Sequence, residues 1–173
     1  MYRYMMDVQN DVKDSNYRTI ISERIIKWRK QRAIKVIDKP TRISRARRLG
    51  FKAKNGFSIA RVRVRRGALH KKEVKGGRRQ RHSGSTGFVP AKSMQLIAEA
   101  RASSRFSNLR VLNSYWVGED GQYKWFEIIM VDPSNPEIIS DYNINWISEN
   151  TQRGRAERGL TSSGKKMRGH LKG

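Results

Sequence analysis

The residues best suited to acid–base chemistry are four carboxylates: Glu119, Asp120, Glu127 and Asp132. A pair of carboxylates can exchange protons with a substrate when burial raises the pKa of one of them. Glu119 and Asp120, however, stand between two glycines in a sequence typical of a hairpin turn, where side chains are solvated. We therefore favour turn and surface charges over a catalytic pair. A nucleic-acid-processing enzyme that uses the region of Glu119 and Asp132 stays an alternative.

Metal and nucleophile chemistry find no support in the sequence. The chain has no cysteine, which excludes disulfides, thiolate metal sites and a cysteine nucleophile. His70, His82 and His170 lie in basic, glycine-rich sequence without a carboxylate at metal-ligand spacing. Such histidines are better suited to bonding a phosphate or stacking on a base. We predict no catalytic residue, no metal site and no cofactor.

A phosphate-loop pattern near the C-terminal end is incomplete. Gly159, Gly164 and Lys165 have the spacing of the first part of GxxxxGK[ST]. Lys166 occupies the position where the motif requires Ser or Thr, and no hydrophobic strand precedes the loop. The pattern therefore does not predict nucleotide hydrolysis.

Positive charge is the dominant chemical property of the chain. Its 173 residues include 38 Lys and Arg against 15 Asp and Glu, a formal net charge of +23. Residues 18–82 hold 24 basic and three acidic residues, residues 89–150 hold five and eight, and residues 151–173 hold seven and one. This segregation predicts that two segments contact a polyanion while the block between them builds much of the core.

The basic segments have the composition of a nucleic-acid interface. Arginine binds phosphate through paired hydrogen bonds, and interspersed glycine lets the backbone approach closely. Folded RNA suits these segments better than DNA, because its crevices accept extended chains and no compact DNA-reading motif is present. The predicted RNA-binding residues are Arg42, Arg45, Arg47, Arg48, Lys52, Lys54, Arg61, Arg63, Arg65, Arg66, Lys71, Lys72, Arg78, Arg79, Arg81, His82, Arg153, Arg155, Arg158, Lys165, Lys166 and Arg168.

The segment from Phe57 to Arg66 alternates with period two and predicts a strand. The set that would face a core is Ser58, Ala60, Val62 and Val64, and the opposite set is Arg61, Arg63 and Arg65. Successive arginines would stand about 6.7 Å apart and form a ridge that binds anions. An edge strand that carries charges against aggregation is the alternative.

Helical and strand periodicities divide the rest of the chain. Apolar spacing predicts an amphipathic helix over residues 16–36, capped by Asp14 or Ser15 and ended by Lys39-Pro40. The remaining predicted elements are a helix over 91–104, a hairpin of strands 109–117 and 123–131, a short helix within 134–142 and an extended piece over 143–147.

These elements predict an α+β fold, a small antiparallel sheet with helices packed on one face and long basic extensions. We expect a single domain over residues 1–150, with a basic linker at 38–56 and a basic loop at 66–88, followed by an extended basic RNA-binding tail at 151–173. The sequence contains no membrane-length apolar run, and its first residues lack the order of a secretory signal. We therefore expect a soluble intracellular protein.

Three blocks of sequence, taken in order, resemble one known family. They are TRISRARRLGFKAKNGFSIARVRVRRG (Thr41–Gly67), LRVLNSYWVGEDGQYKWFEIIMVDP (Leu109–Pro133) and RGLTSSGKKMRG (Arg158–Gly169). They are similar to the large-subunit ribosomal protein of archaea and eukaryotes called L-fifteen-e. The likeness extends from about Tyr17 to Gly169, and the middle loop, Ala68 to Gly87, departs from it.

The resemblance implies a structural component of the large ribosomal subunit, with a small α+β domain and no catalytic activity. Its implied partners are large-subunit ribosomal RNA, which it binds directly, and neighbouring ribosomal proteins, without a membrane or a small-molecule substrate. The implied location is the cytoplasmic ribosome, and the short C-terminal end favours an archaeal type. A free-standing RNA or DNA chaperone or nucleoid protein is the alternative function.

Overall fold

The computed structural model describes residues 15–67 and 91–170, with side chains from Thr19 onward. In chain order, the elements are helix α1 (Ser15–Arg29), strand β1 (Ile34–Ile37), helix α2 (Ile43–Arg48), strand β2 (Phe57–Arg65), helix α3 (Met94–Arg105), strands β3 (Arg110–Glu119) and β4 (Tyr123–Val131), and helices α4 (Pro136–Ile139) and α5 (Ser162–Met167). Short 3-10 helices at Asn145–Ser148 and Asn150–Gln152 lie between α4 and α5. The predicted α+β class is confirmed.

The sheet has four antiparallel strands in the order β1-β2-β4-β3. Val62 on β2 pairs with Ile34 of β1 on one side and with Phe126 of β4 on the other. Strand β4 is central, and every residue from Trp125 to Val131 is buried. Its β-branched and aromatic residues suit a strand that is covered on both faces.

Helices pack on both faces of the sheet. On the front face, which contains Trp125 and Ile129 of β4, side chains of α1, α2 and the segment after β4 complete the core. On the back face, which contains Phe126 and Ile128, helix α3 covers the sheet with its alanines. The prediction of helices on one face only is wrong, because β4 is apolar at both alternating sets of positions.

The first predicted helix is too long. Helix α1 ends at Arg29, and Ile34–Ile37 forms edge strand β1 where the helix was predicted to continue to residue 36. Three of the four β1 residues are β-branched, and all four pair with β2. This pairing joins residues far apart in the sequence, so the helical spacing upstream could not reveal it.

The predicted signals at the ends of this helix are also corrected. Pro40 follows a strand, so Lys39-Pro40 does not end the helix. Ser15 is the first residue of α1 rather than its cap, and Asp14 lies outside the described residues.

The other predicted strands and helices agree with the structure to within a few residues. Strand β2 ends at Arg65, and hairpin β3–β4 turns at residues 120–122. Helix α3 begins at Met94, where Ser93 caps it by accepting a hydrogen bond from the Leu96 N–H at 3.2 Å. The short helix within 134–142 is confirmed as α4.

The chain beyond α4 is more folded than the sequence predicted. Residues 145–148 form a 3-10 helix, so the extended piece predicted over 143–147 is wrong. Residues 151–170 contain turns and helix α5 rather than the predicted extended tail. Ala156 packs into the back-face core and Thr161 is fully buried. Because these two residues are buried, the basic segment packs against the rest of the domain. None of the described helices has the length and apolarity that a membrane span needs.

Candidate nucleic-acid interface

Helix α2 presents the first group of predicted RNA-binding side chains. Its sequence, ISRARR, buries Ser44 and Ala46, and Ala46 belongs to the front-face core. Arg45, Arg47 and Arg48 are exposed. The helix is therefore held along its small residues and directs three guanidinium groups outward.

A buried carboxylate fixes the chain immediately before α2. Glu127 on β4 is fully buried, and its oxygens accept hydrogen bonds from the Thr41 N–H at 3.0 Å and from the Thr41 hydroxyl. The Tyr115 hydroxyl donates to the same carboxylate at 2.5 Å. Burial, together with the charge of Glu127, raises the pKa of Tyr115 far above its ordinary range. The interpretation of Glu127 as one of the turn and surface charges is wrong, because the strand directs it inward between Trp125 and Ile129.

The other three carboxylates of the predicted acidic region each have a separate partner. Glu119 pairs with Lys124 at 2.9 Å, and this contact holds the pKa of Glu119 below its ordinary value. Asp120 pairs with Arg29 at 2.7 Å, and Asp132 accepts a hydrogen bond from a backbone N–H in its own turn. These partners give the carboxylates structural roles, and in the described part of the chain no cluster of three metal-ligating side chains occurs.

The arginine row of β2 is not a uniform ridge. The Arg61 side chain is only 10% exposed, and its guanidinium carbon lies 4.3 Å from the centroid of the Trp28 ring. Burial lowers the pKa of Arg61, while the Glu127 carboxylate, 4.0 Å away, opposes this shift. Arg63 lies over the Tyr123 ring and donates to the Arg29 carbonyl at 2.7 Å, while Arg65 is exposed. The row therefore divides into packed arginines and one exposed arginine.

Two lysines of the predicted interface are engaged within the protein. Lys52 and Lys54 both contact one oxygen of Asp141, at 2.8 and 2.6 Å. These two hydrogen bonds hold the pKa of Asp141 well below its ordinary range. The Lys52 side chain is 46% exposed, whereas that of Lys54 is 25% exposed and also donates to the Glu137 carbonyl at 3.0 Å. Because solvent screens an exposed ion pair, Lys52 is the more accessible of the two lysines.

Arg42 and Arg66 occupy the edges of the same region. The Arg42 guanidinium carbon lies 5.9 Å from the centroid of the half-exposed Trp116 ring. Arg66 is exposed and donates to the Asp120 carbonyl at 2.7 Å. Each contact orients a guanidinium group at the edge of the region.

Arginines of the C-terminal segment also divide into packed and exposed groups. Arg155 donates to the Val111 carbonyl at 3.0 Å and lies 4.7 Å from the Trp146 ring centroid. Burial lowers the pKa of Arg155, and buried Glu99 opposes that shift. Arg158 donates to backbone carbonyls of its own segment, including that of Arg153. The exposed cations of this segment are Arg153, Arg158, Lys165, Lys166 and Arg168.

A second buried carboxylate fixes α5. Glu99 on α3 is fully buried and accepts hydrogen bonds from the hydroxyls of Ser114 and Thr161. Thr161 is also the N-cap of α5, because its hydroxyl oxygen accepts the Gly164 N–H at 3.2 Å. Burial raises the pKa of Glu99, against the lowering effect of these two hydroxyls. Exposed Lys165 and Lys166 follow directly on this capped turn.

The incomplete phosphate-loop pattern has a structural explanation. A Cβ atom on Gly164 would stand 2.5 Å from the Gly159 Cα atom, so the two glycines allow two backbone segments to touch. Gly159 also has a φ of +68°, which favours glycine. The spacing serves close packing of the turn that precedes α5.

Several predicted site residues lie outside the described ranges, and some exposed cations were missed. The residues outside are Lys71, Lys72, Arg78, Arg79, Arg81 and His82. The missed cations include Lys92, Arg101 and Arg105, all exposed on or near α3. The i, i+4 spacing of Arg101 and Arg105 was the available signal, because the one acidic residue of α3, Glu99, is buried.

The structure combines an α+β fold with basic surfaces, and comparisons with known proteins identify the family. The family model described as Ribosomal L15 matches residues 1–173. The large ribosomal subunit protein eL15 of Methanocella arvoryzae is 49% identical over 97% of this chain and 86% of its own. That of Metallosphaera sedula is 50% identical over 90% of this chain and 72% of its own. The chain belongs to the ribosomal L15 family, which confirms the resemblance seen in the sequence.

Proposed function

We propose that this protein is a structural constituent of the large ribosomal subunit that binds large-subunit ribosomal RNA directly and stabilises its fold. The relatives named large ribosomal subunit protein eL15 support the ribosomal role. Neighbouring large-subunit proteins are the further partners in this proposal. It includes no catalytic step, cofactor or membrane.

The observation that carries direct RNA binding is the way in which two basic helices are held. Helices α2 and α5 each follow a threonine that donates its hydroxyl to a buried glutamate, Glu127 for α2 and Glu99 for α5. The acidic groups are inside the domain, and the cations of both helices are exposed. Cations on a fixed backbone lose less conformational entropy when they bind phosphates than cations on a mobile backbone do.

Sedimentation and salt titration together test this function. The tagged chain, produced in an archaeal host, should remain with the large subunit on a sucrose gradient through moderate salt. A chaperone or nucleoid protein would dissociate or distribute elsewhere. Binding of the purified chain to a large-subunit rRNA fragment should weaken with salt at a slope of roughly −4 to −9 in log–log form, for about six to ten neutralised phosphates. A slope near −1 with no subunit association would refute the proposal.

A further inference from the structure

A shallow groove runs between edge strand β1 and helix α3 on the back of the domain. Its volume is about 490 Å³, and Ile34, Ile97 and Ala100 form its apolar floor. Its polar lining is supplied by Lys92, Arg101, Ser104 and Arg105. Among the described residues that line the groove, none is acidic. The groove therefore combines an uncharged apolar surface with a cationic rim.

Among the described residues, no acidic side chain forms an ion pair with the three cations of this rim. Arg101 donates to the Arg63 carbonyl at 3.2 Å, which orients its guanidinium group while leaving its charge unpaired by that contact. Arg101 and Arg105 lie one helical turn apart on the same face of α3. The acidic residue of that helix, Glu99, is buried and bonded to Ser114 and Thr161, so it does not face the rim.

We infer that this groove binds one unstacked nucleotide of a single-stranded RNA segment, an inference that rests on the proposed function. The apolar floor receives the base, and Lys92, Arg101 and Arg105 bind the phosphates on either side of it. A nucleobase has an apolar face and is exposed in this way only where RNA is not paired. A regular duplex hides its base faces and presents phosphates alone, so the floor would be unused.

The positive charge of the rim favours RNA over a protein segment as the occupant of the groove. An apolar protein segment would bury the floor but leave three cations without partners, which is costly in a desolvated interface. An acidic protein segment would satisfy the rim, and it is the alternative that the second experiment below detects. RNA satisfies both the floor and the rim.

The first experiment uses matched single substitutions in the full chain. Ser104→Glu places a carboxylate in the groove, and Ser104→Gln adds similar bulk without charge. Ser22→Glu adds the same charge at an exposed position of α1 outside the groove. The probes are a short RNA hairpin with a single-stranded overhang and the same hairpin without it. We expect Ser104→Glu to weaken binding of the overhang probe about tenfold, and the other two variants to weaken it about twofold at most.

The blunt hairpin separates base binding from simple attraction to phosphate. The affinity of the blunt hairpin should change equally in Ser104→Glu and Ser22→Glu, since this probe does not use the groove. Equal losses for both probes, or equal losses in the two glutamate variants on the overhang probe, would overturn the inference. Thermal unfolding of each variant identifies any loss that comes from misfolding, and Arg105→Ala then provides a second rim variant. If the wild-type chain binds neither probe nor rRNA, the proposed function itself fails.

The second experiment locates the occupant in assembled subunits. A photo-cross-linking amino acid at position 104, which is exposed, should cross-link to an unpaired nucleotide of large-subunit rRNA. A cross-link to a neighbouring protein would overturn the inference even though the chain has assembled correctly.

Discussion

Replacement of Thr161 by valine removes one hydroxyl group that makes two hydrogen bonds. The hydroxyl donates to the buried Glu99 carboxylate, and its oxygen accepts the Gly164 N–H at 3.2 Å to cap α5. Thr161 itself is fully buried. Valine has nearly the same volume and shape, so the change deletes the hydrogen bonds and leaves almost no cavity.

The expected loss of stability follows from these two bonds. A hydrogen bond to a charged group contributes about 1.5–3 kcal/mol, and loss of an N-cap costs about 1 kcal/mol. Because Glu99 keeps its bond from Ser114, we expect a net destabilisation of about 2–4 kcal/mol. For a chain of this size, each kcal/mol lowers Tm by about 2–4 °C. Thr161→Val should therefore lower Tm by roughly 5–15 °C.

Calorimetry of the free full chain measures this effect, with two control variants. Thr161→Ser keeps the hydroxyl and should retain most of the stability. Thr151→Val removes an exposed hydroxyl that donates to the exposed carboxylate of Glu149 at 3.0 Å. The chemical change is the same, but solvent replaces the lost bond, so its effect should be about 0.5 kcal/mol or less.

Trypsin cleavage within α5 tests whether the lost stability belongs to the basic C-terminal segment. Without its cap, α5 should open more often, and trypsin should cleave after Lys165 and Lys166 faster in Thr161→Val than in Thr151→Val. The reasoning is refuted if the two valine variants have the same Tm and the same cleavage rate. That result would mean that Glu99 does not hold the C-terminal segment.

Three further predictions test other parts of the structure. Arg61→Ala should destabilise the fold by about 2–3 kcal/mol, because it removes the Trp28 contact and a buried cation. Arg65→Ala should change Tm little and weaken RNA affinity. The opposite pattern in paired melting and binding assays would disprove this division. Burial raises the pKa of Glu99 above 4.5, so the folded state binds the proton more tightly than the unfolded state does. The stability of the wild-type chain should therefore fall as pH rises from 4.5 through the raised pKa. In unfolding titrations, Glu99→Gln should lack this loss of stability, and parallel pH profiles of the two chains would contradict the prediction. Gly164→Ala should destabilise by about 1–3 kcal/mol in denaturant unfolding despite better helix propensity, and any stabilisation would show that the Gly159 backbone moves away freely.

The parts of the fold that the sequence predicted are those whose signal lies within a few residues. The alternation in β2 and the Asp-Gly turn of the β3–β4 hairpin are local patterns, and both are confirmed. Strand β1 was missed because it forms only by pairing with β2, and its four residues are too few for a periodicity of their own. The C-terminal segment was missed for a related reason. Its inward contacts come from single residues, such as Ala156, spaced among charges.

Charge composition located the basic segments of the candidate interface but could not show which of their side chains are packed and which are exposed. Arg61 and Arg65 are equivalent in the sequence pattern, yet one stacks on Trp28 and the other is exposed. The difference comes from α1, which covers the front face, whereas helices were predicted on one face of the sheet only. The groove cations Arg101 and Arg105 were passed over because the block that contains them is slightly acidic overall. Net charge averages over a segment, whereas binding depends on which charges remain at the surface.

The distribution of acidic groups shows how so basic a chain folds while the surfaces of α2 and α5 stay cationic. A carboxylate on the surface beside α2 or α5 would neutralise their cations and compete with phosphate. Glu127 and Glu99 instead lie inside the domain and reach each helix through a threonine hydroxyl, which carries no charge. The helices are thereby fixed by hydrogen bonds to uncharged hydroxyls, while their cations lie at the surface. On this reasoning, a carboxylate added at the surface should weaken RNA binding more than it lowers stability, and paired binding and melting assays of Ser104→Glu measure that contrast.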